Sequence, residues 1–309
     1  MDVVRGHRNA SHTASAVAIG NFDGVHVGHR ALVARARELA AAHDARTVVL
    51  TFDPHPSAVL SPGGAPAMLT SLARRLELLE EAGADVVVVE PFTRELAACA
   101  AHAFIDDIVL YALRARAIVV GYDFTYGAQR SGSIDALRAH GSRAGIEVDV
   151  LPPIDCGGEV ASSTRIRTHL RAGELAAANR LLGRHWDLDG VVVHGAKRGR
   201  AIGIPTANIR PASDLAIAPG IYAVRLQVRG GPPMPAVASL GTNPTCVAQG
   251  GLVLEVHVLD WDGDLYDQNV RTTFVARLRD EAKFDSIDAL LVQIHADISE
   301  ARTQLIAVS

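Results

Sequence analysis

Residues 15–29 read SAVAIGNFDGVHVGH, and this stretch decides how the first half of the chain folds. Ser15 to Ile19 is short and apolar, the pattern of a strand buried within a parallel sheet. Gly20, Asn21, Asp23 and Gly24 then break the period with turn chemistry. From His29 onward Leu32, Ala36, Leu39, Ala40 and His43 recur at helical spacing, so His26, Gly28 and His29 fall where a strand hands over to a helix N-terminus. Such an end attracts anions, because its first N–H groups are unpaired and the helix dipole is positive there. Gly28 allows close backbone approach, and the two imidazoles offer donors to phosphate oxygens.

Working outward, strand and helix patterns alternate as far as about residue 182. Short β-branched segments at 47–52, 85–89, 117–121 and 146–151 are separated by helical patterns at 29–43, 71–82, 102–113 and 134–143. That order predicts a doubly wound, Rossmann-like α/β domain with a parallel sheet covered on both faces. Ligands in such sheets sit beyond the carboxyl ends of the strands. The histidine turn, TFDPHP (51–56) and GYDFTYG (121–127) all fall on that rim.

Neither a GxxxxGK[ST] loop nor a GxGxxG turn is present, so the phosphate site is not of the Walker or dinucleotide type. HxGH resembles instead the signature of nucleotidyltransferases that move an adenylyl or cytidylyl group without a covalent enzyme intermediate. Displacement at an α-phosphorus needs positioning and donors aimed at the growing charge, which two histidines at a helix start supply. SSTRIR (162–167) opens a second helix in the same manner: Ser163, Thr164 and Arg167 suit β- and γ-phosphates, although hydroxyls at a helix start are also ordinary caps.

Composition bounds the rest. A chain of 309 residues, 49% apolar, is long enough for two cores. Its net charge of −4 and pI near 6.3 give no general pull toward nucleic acid or an anionic membrane. Cys99, Cys156 and Cys246 are odd in number and lack CxxC spacing, which argues against disulfides or structural zinc and for a reducing cytoplasm. No apolar run is long enough to span a bilayer and the N-terminus carries no export pattern. His7, His12, His43 and His140 read as solvent-facing residues, not ligands.

A helix is expected to end at Gly183, and beyond it the texture changes to strands at 190–194, 220–228, 234–240, 252–259 and 270–278. This predicts a small antiparallel β-barrel over 185–309, after an α/β domain over 1–184. A closing helix capped by Asp285 or Ser286 should lay Ile287, Leu290, Leu291, Ile294, Ile298, Ala301 and Leu305 on the barrel. GAKRGRAIGIPTANI (195–209) is the second chemical centre. Gly195, Gly199 and Gly203 let a loop wrap on phosphates, Lys197, Arg198 and Arg200 add charge, and Thr206 and Asn208 offer oxygen ligands for Mg²⁺. Glu255 lies on the strand face opposite the apolar 252, 254, 256 and 258. Alternation alone leaves it open between a solvated outer-face residue and a site residue.

Taken together, GNFDGVHVGH, TFDPHP, GYDFTYG, SSTRIR and PTAN resemble, in order and spacing, the prokaryotic bifunctional riboflavin kinase/FMN adenylyltransferases, over nearly the whole chain. The resemblance implies conversion of riboflavin and ATP to FMN in the C-terminal domain, then of FMN and ATP to FAD and pyrophosphate in the N-terminal domain. It implies that His26 and His29 bind and activate the ATP phosphates, with Gly20, Asn21, Phe22 and Gly24 bordering the nucleotide and Ser163, Thr164 and Arg167 holding its β/γ end. Phe52, Asp123, Phe124 and Tyr126 would lie near the flavin, Tyr126 standing where phenylalanine is usual. In the second domain Glu255 would be the base that takes the proton of the ribityl hydroxyl, and Arg279, in LRDEAKF (278–284), would lie in the loop over the isoalloxazine ring. His185, Trp186, Cys246 and Asp267 depart from the family pattern without removing a chemical group, and Asp267 stands where a positive φ is expected. The expected partners are therefore riboflavin, FMN, FAD and ATP with Mg²⁺, with no nucleic acid, no membrane and a cytoplasmic location. Two alternatives stay open: an enzyme retaining only one activity, and a flavin-binding regulatory protein on the same fold. The sequence is silent on oligomeric state.

Overall fold

The computed structural model describes residues 1–10, 13–61, 63–195, 203–212, 214–242 and 252–307. They form two compact units: Met1–Pro66 with Leu72–Ser162, and Ala67–Ser71 with Ser163–Ser309.

In the first unit six strands, β1 (Asp2–Arg5), β2 (Ser15–Ile19), β3 (Arg46–Asp53), β4 (Val86–Pro91), β5 (Ala115–Gly121) and β6 (Glu147–Leu151), pair in parallel in the order β1-β4-β3-β2-β5-β6. Every residue of β2 is buried, as a central strand of a doubly covered sheet requires. Successive residues feed opposite cores. Val17, Ile19, Val48 and Leu50 pack with Phe104, Ile105 and Val109 on one face. On the other, Ala16, Ala18, Val49 and Val87 pack with Val33 and Ala36 of α1 (Val27–Ala42) and with Leu78 and Leu79 of α2 (Leu72–Glu81). Beyond two short helical turns at Arg94–Ala97 and Ala101–Ala103, α3 (Phe104–Ala112) winds as a π-helix, a detail that the apolar period of an expected 102–113 helix did not reveal. After it, α4 (Ile134–Ala144) ends on Gly145 at φ 68°, a left-handed C-cap. The strand β1 had no expectation; it pairs with β4 at the sheet edge. The order reverses at β2, which has β3 on one side and β5 on the other, and sheets of this kind receive ligands beyond the carboxyl ends of the strands at that point, here β2 and β5. The histidine turn follows β2 and GYDFTYG follows β5.

In the second unit β7 (Trp186–Val193), β8 (Ala207–Pro211), β9 (Gly220–Val228), β10 (Pro233–Thr242), β11 (Leu252–Val258) and β12 (Asn269–Arg279) close into an antiparallel barrel in the order β10-β11-β8-β7-β12-β9. Trp186, Leu188, Ile209, Tyr222, Leu240, Leu254, Val256 and Phe274 are buried, and Trp186 and Tyr222 both pack on the Phe274 ring. Two helices precede the barrel and belong to its compact unit: α5 (Ser163–Ala172) and α6 (Leu175–Leu182), the latter ending at Gly183 with φ 67° as expected. Asn179 of α6 accepts the Trp186 backbone N–H at 2.8 Å and donates to the Phe274 carbonyl at 3.4 Å. Residues 67–71 join the same unit, where the Leu69 carbonyl accepts from the Trp186 indole at 3.0 Å. The compact units thus divide at Ser162/Ser163, ahead of the 184/185 boundary read from the change of texture.

The closing helix α7 (Ile287–Ile306) is capped by Ser286, whose hydroxyl accepts the Ala289 N–H at 3.1 Å. Its packing differs from the expected continuous stripe. Ala301 and Leu305 join a core cluster with Ala223 and Val275, and Asp297 is buried, whereas Ile287 is 62% exposed. Midway along the helix the buried Asp297 pairs with Arg279, beside the half-buried Ile294 and Ile298.

Candidate active sites

Between β2 and α1 the chain turns through Phe22 at φ 52°, Gly24 at 84° and Val25 at 40°. Positive φ at a β-branched valine is costly and marks a turn held by its surroundings. The Phe22 side chain is fully buried beneath the turn, its ring 5.0 Å from that of His29, which leaves only its backbone toward the turn's outer side. The turn delivers His26 as the N-cap of α1: its Nδ1 accepts the His29 backbone N–H at 3.4 Å, which leaves Nε2 to carry the ring proton. Gly28 makes room for that ring, since a Cβ there would lie 3.1 Å from His26 Cε1. The two imidazoles stack with centroids 3.6 Å apart and planes at 19°. Burial pushes His26 down to about 4, and burial, then the neighbouring His26 and Arg75, holds His29 well below the ordinary histidine range. Both rings are therefore neutral at neutral pH and act as N–H donors and not as cations. His29 Nδ1 is buried without a hydrogen-bond partner, the mark of a group awaiting a ligand. Gly20 and the exposed Asn21 begin the same turn, and the Asn21 carbonyl accepts from Thr51 Oγ1 at 3.0 Å.

On the neighbouring strand ends, Phe52 is 8% exposed and meets Phe92 edge-on at 5.7 Å. Asp123 is exposed and Phe124 half-buried beyond β5. Tyr126 is a core residue, stacked on Phe124 at 5.5 Å and touching Phe104, and burial raises its phenol. Its ring is committed to holding Phe124. Ser163, Thr164 and Arg167 lie on α5 in the second unit: Ser163 half-buried, Thr164 exposed, Arg167 6% exposed with Nε donating to the Ala67 carbonyl at 2.7 Å. Sequence reasoning missed Arg75, which is 2% exposed on α2 and donates to the Asn21 and Phe52 carbonyls. Within LARRLELLEE, helical spacing sets Arg75 three residues after Leu72 and three and four before Leu78 and Leu79, on the apolar face, whereas Arg74 lines up with Glu77 and Glu81; that spacing is the signal that could have found it.

On the barrel, Asn208 of β8 stands opposite Glu255 of β11, and Glu255 opposite Ser239 of β10, so three polar side chains form one row across three strands. All three are half-buried and alternate with the buried Ile209, Leu254 and Leu240, which keeps the row off the barrel core. Gly195 lies against Asn208 so closely that a Cβ would collide with its amide. Thr206 is half-buried at the entry to β8, and His257 Nδ1 meets the Pro205 carbonyl at 2.8 Å. Gly203 has φ 78°. Lys197, Arg198, Gly199 and Arg200 lie outside the described residues, as do Cys246 and His12. Arg279 is held by Asp297 of α7, Nε and Nη2 donating to its two carboxylate oxygens at 2.8 and 2.7 Å, and packs over Phe284 at 5.8 Å. That fork is engaged by the protein and ties the end of β12 to α7.

Of the departures from the family pattern, His185, Trp186 and Asp267 lie among the described residues and are accommodated locally. Asp267 adopts φ 61°, a left-handed conformation that aspartate tolerates better than most residues. His185 Nδ1 lies 3.1 Å from Asn179 Nδ2. His7 and His140 are only half-buried and, with the exposed His43, each meets a carboxylate, of Glu90, Asp106 and Glu147 respectively. Cys99 and Cys156 are free.

Residues 8–165 match the FAD synthetase family and residues 182–305 the riboflavin kinase family, so the fold and its two sites define a nucleotidyltransferase followed by a flavokinase barrel. The chain is 38% identical to the bifunctional riboflavin kinase/FMN adenylyltransferase of Pseudomonas fluorescens over 98% of its own length and 97% of that protein's. It is equally 38% identical to the protein of the same description from Escherichia coli (strain K12), with the same coverage. Among solved structures, one titled a macrolide-efflux protein from Streptococcus pneumoniae is 30% identical, covers 98% of this chain and 99% of that one, and superposes with a TM-score of 0.88. The chain belongs to the bifunctional riboflavin kinase/FMN adenylyltransferases. The two enzymatic activities are those of this family, with the domains in the order its motifs foretell. No helix among the described residues is long and apolar enough to cross a membrane.

Proposed function

We propose that adenylyl transfer takes place at the histidine turn and riboflavin phosphorylation at the Asn208–Glu255 row, with activity dividing near 184/185. The observation that carries the first assignment is the capped, stacked pair of neutral imidazoles at the start of α1, with the buried Nδ1 of His29 left unpartnered. Here the FMN phosphate attacks the α-phosphorus of ATP, the α–β bridging bond breaks, and pyrophosphate leaves. His26 and His29 donate N–H groups to the phosphates, and the N-terminus of α1 adds its unpaired amides. Ser163, Thr164 and Arg167 hold the β/γ end, while Phe52, Asp123 and Phe124 border the flavin, with Tyr126 supporting Phe124 from behind.

In the barrel, Glu255 accepts the proton of the ribityl 5′-hydroxyl as that oxygen attacks the γ-phosphorus, and ADP leaves. Gly195 and Gly203 belong to the nucleotide loop, together with Lys197, Gly199 and Arg200. Half-buried hydroxyl and amide oxygens at Thr206 and Asn208 suit Mg²⁺, which takes few protein ligands and completes its shell with water and phosphate oxygens. Bound there, the ion would neutralise charge on the transferring phosphates. Arg279 serves this site through its pair with Asp297, by fixing the loop that follows β12. The substrates are riboflavin, FMN and ATP, and the location is the cytoplasm, where ATP is plentiful.

Isotope placement tests this reading. With riboflavin and Mg²⁺, label at the γ-phosphate of ATP should enter FMN, and label at the α-phosphate should enter FAD alone. Label from the α-phosphate in FMN, or FAD without release of pyrophosphate, would sink the assigned chemistry.

A further inference from the structure

Arg75 is the one arginine of α2 turned into the first unit's interior, 2% exposed, behind the histidine turn. Its Nη1 donates to the Asn21 carbonyl at 3.3 Å and the Phe52 carbonyl at 3.2 Å, joining the segments that leave β2 and β3. Its Nε is buried without a hydrogen-bond partner. Burial lowers its affinity for its proton, and the carboxylates of Asp23 and Asp53 oppose that loss. The Asn21 carbonyl already accepts from Thr51, so a second donor there is not needed to satisfy it, and burying a guanidinium costs more than burying an apolar side chain of similar volume. A buried cation with a spare donor is what an active site keeps when an anion is to be received nearby.

We propose that Arg75 is a positioning residue for adenylyl transfer, holding a fixed positive charge behind His29 while tying the β2 turn to the β3 segment that carries TFDPHP. The charge lies in the protein interior, where it acts on the developing pyrophosphate through a low dielectric and needs no reorganisation during reaction. Its field also favours the neutral form of His29. The proposal rests on assigning adenylyl transfer to the histidine turn.

Two substitutions separate charge from tether in the full-length protein. Arg75→Gln retains amide donors for the two carbonyls and removes the charge, whereas Arg75→Lys keeps the charge. For FAD formation from FMN, Arg75→Gln should lower kcat by roughly thirtyfold or more with KM for ATP within about threefold, and Arg75→Lys should stay within about tenfold of the parent. FMN formation from riboflavin, measured on the same samples, should be unchanged in both. Equal activity of the two variants, or losses that follow melting temperature and not charge, would overturn the proposal. If Arg75→Gln fails to fold, a folded Arg75→Lys enzyme that has lost more than about a hundredfold in kcat overturns it alone. His29→Ala, run in parallel, separates the two levels: FAD formation intact there removes the site assignment and the proposal with it, whereas its loss beside a fully active Arg75→Gln removes the proposal only.

Discussion

The neutral, buried His26 makes the first unit sensitive to acid in a way that one substitution can remove. In the unfolded chain a histidine titrates near 6.5, whereas in the folded protein burial holds His26 at about 4. Because the folded value is the lower one, the unfolded chain takes up the proton first as pH falls. Stability is therefore full above about 6.5 and is lost progressively down to about 4. Over the whole window the cost approaches about 3 kcal/mol, and between pH 7 and pH 5 it is about 2 kcal/mol, or roughly twentyfold in the opening equilibrium. His26→Asn removes the titration and keeps the cap, since an asparagine oxygen can accept the His29 N–H as His26 Nδ1 does. The assay is amide hydrogen exchange, corrected for intrinsic rates, at the buried positions Val17–Ile19 and Val48–Leu50, which report the first unit separately from the barrel. The parent should open roughly twentyfold more readily at pH 5 than at pH 7 beyond what His26→Asn shows over the same interval. His29 is present in both proteins, and burial, the largest cause of its lowered pKa, is common to them. Identical pH dependence in the two would refute the reasoning that His26 is held neutral by burial.

Two other perturbations read the second unit. Gly195→Ala places a methyl group against the Asn208 amide, so riboflavin phosphorylation should fall by ~10–100-fold while FAD formation from supplied FMN is untouched; a phosphorylation rate equal to the parent's would remove Asn208 from the site. A fragment of residues 163–309 should melt well above one of 185–309, because the shorter piece lacks the buried Ile166, Leu170, Leu175, Leu181 and Leu182, each worth about 1.5–3 kcal/mol of burial. Equal melting temperatures would show that α5 and α6 add nothing to the barrel.

The parallel sheet could be read ahead of the structure because burial on both faces leaves an unmistakable run, as at Ser15–Ile19, and because the turn after it carries residues that only a strand-to-helix junction explains. The barrel followed from period-two alternation, clearest at 252–258, where Glu255 falls on the face away from the core. What stayed hidden depends on contacts distant in sequence. The strand Asp2–Arg5 is short and mostly exposed and exists through its pairing with β4. The strand Ala207–Pro211 begins within GAKRGRAIGIPTANI, a stretch of glycines, basic residues and PTAN that carries no strand period. Nor does a helix's own sequence say which core it joins, which is why α5 and α6 pack with the barrel although the alternating pattern continues through them. At the sites, the donors at His26 and His29 were legible, but their neutrality was not, since it comes from burial. Tyr126 and Arg279 show the same limit: the residue types fit flavin contact, and the structure shows each first engaged by the protein, at Phe124 and at Asp297.

The central claim is that one chain runs two separate reactions at two named sites, and product analysis of two point variants tests it most directly. Parent, His29→Ala and Glu255→Gln are each given ATP and Mg²⁺ with either riboflavin or FMN, and flavins are separated over time. The parent should make FMN and then FAD from riboflavin. His29→Ala should stop at FMN, with adenylylation down on the order of a thousandfold. Glu255→Gln should phosphorylate riboflavin ~10²–10⁴-fold more slowly yet convert supplied FMN to FAD at the parental rate. FAD formed at the parental rate by His29→Ala, or FMN formed at the parental rate by Glu255→Gln, would contradict it.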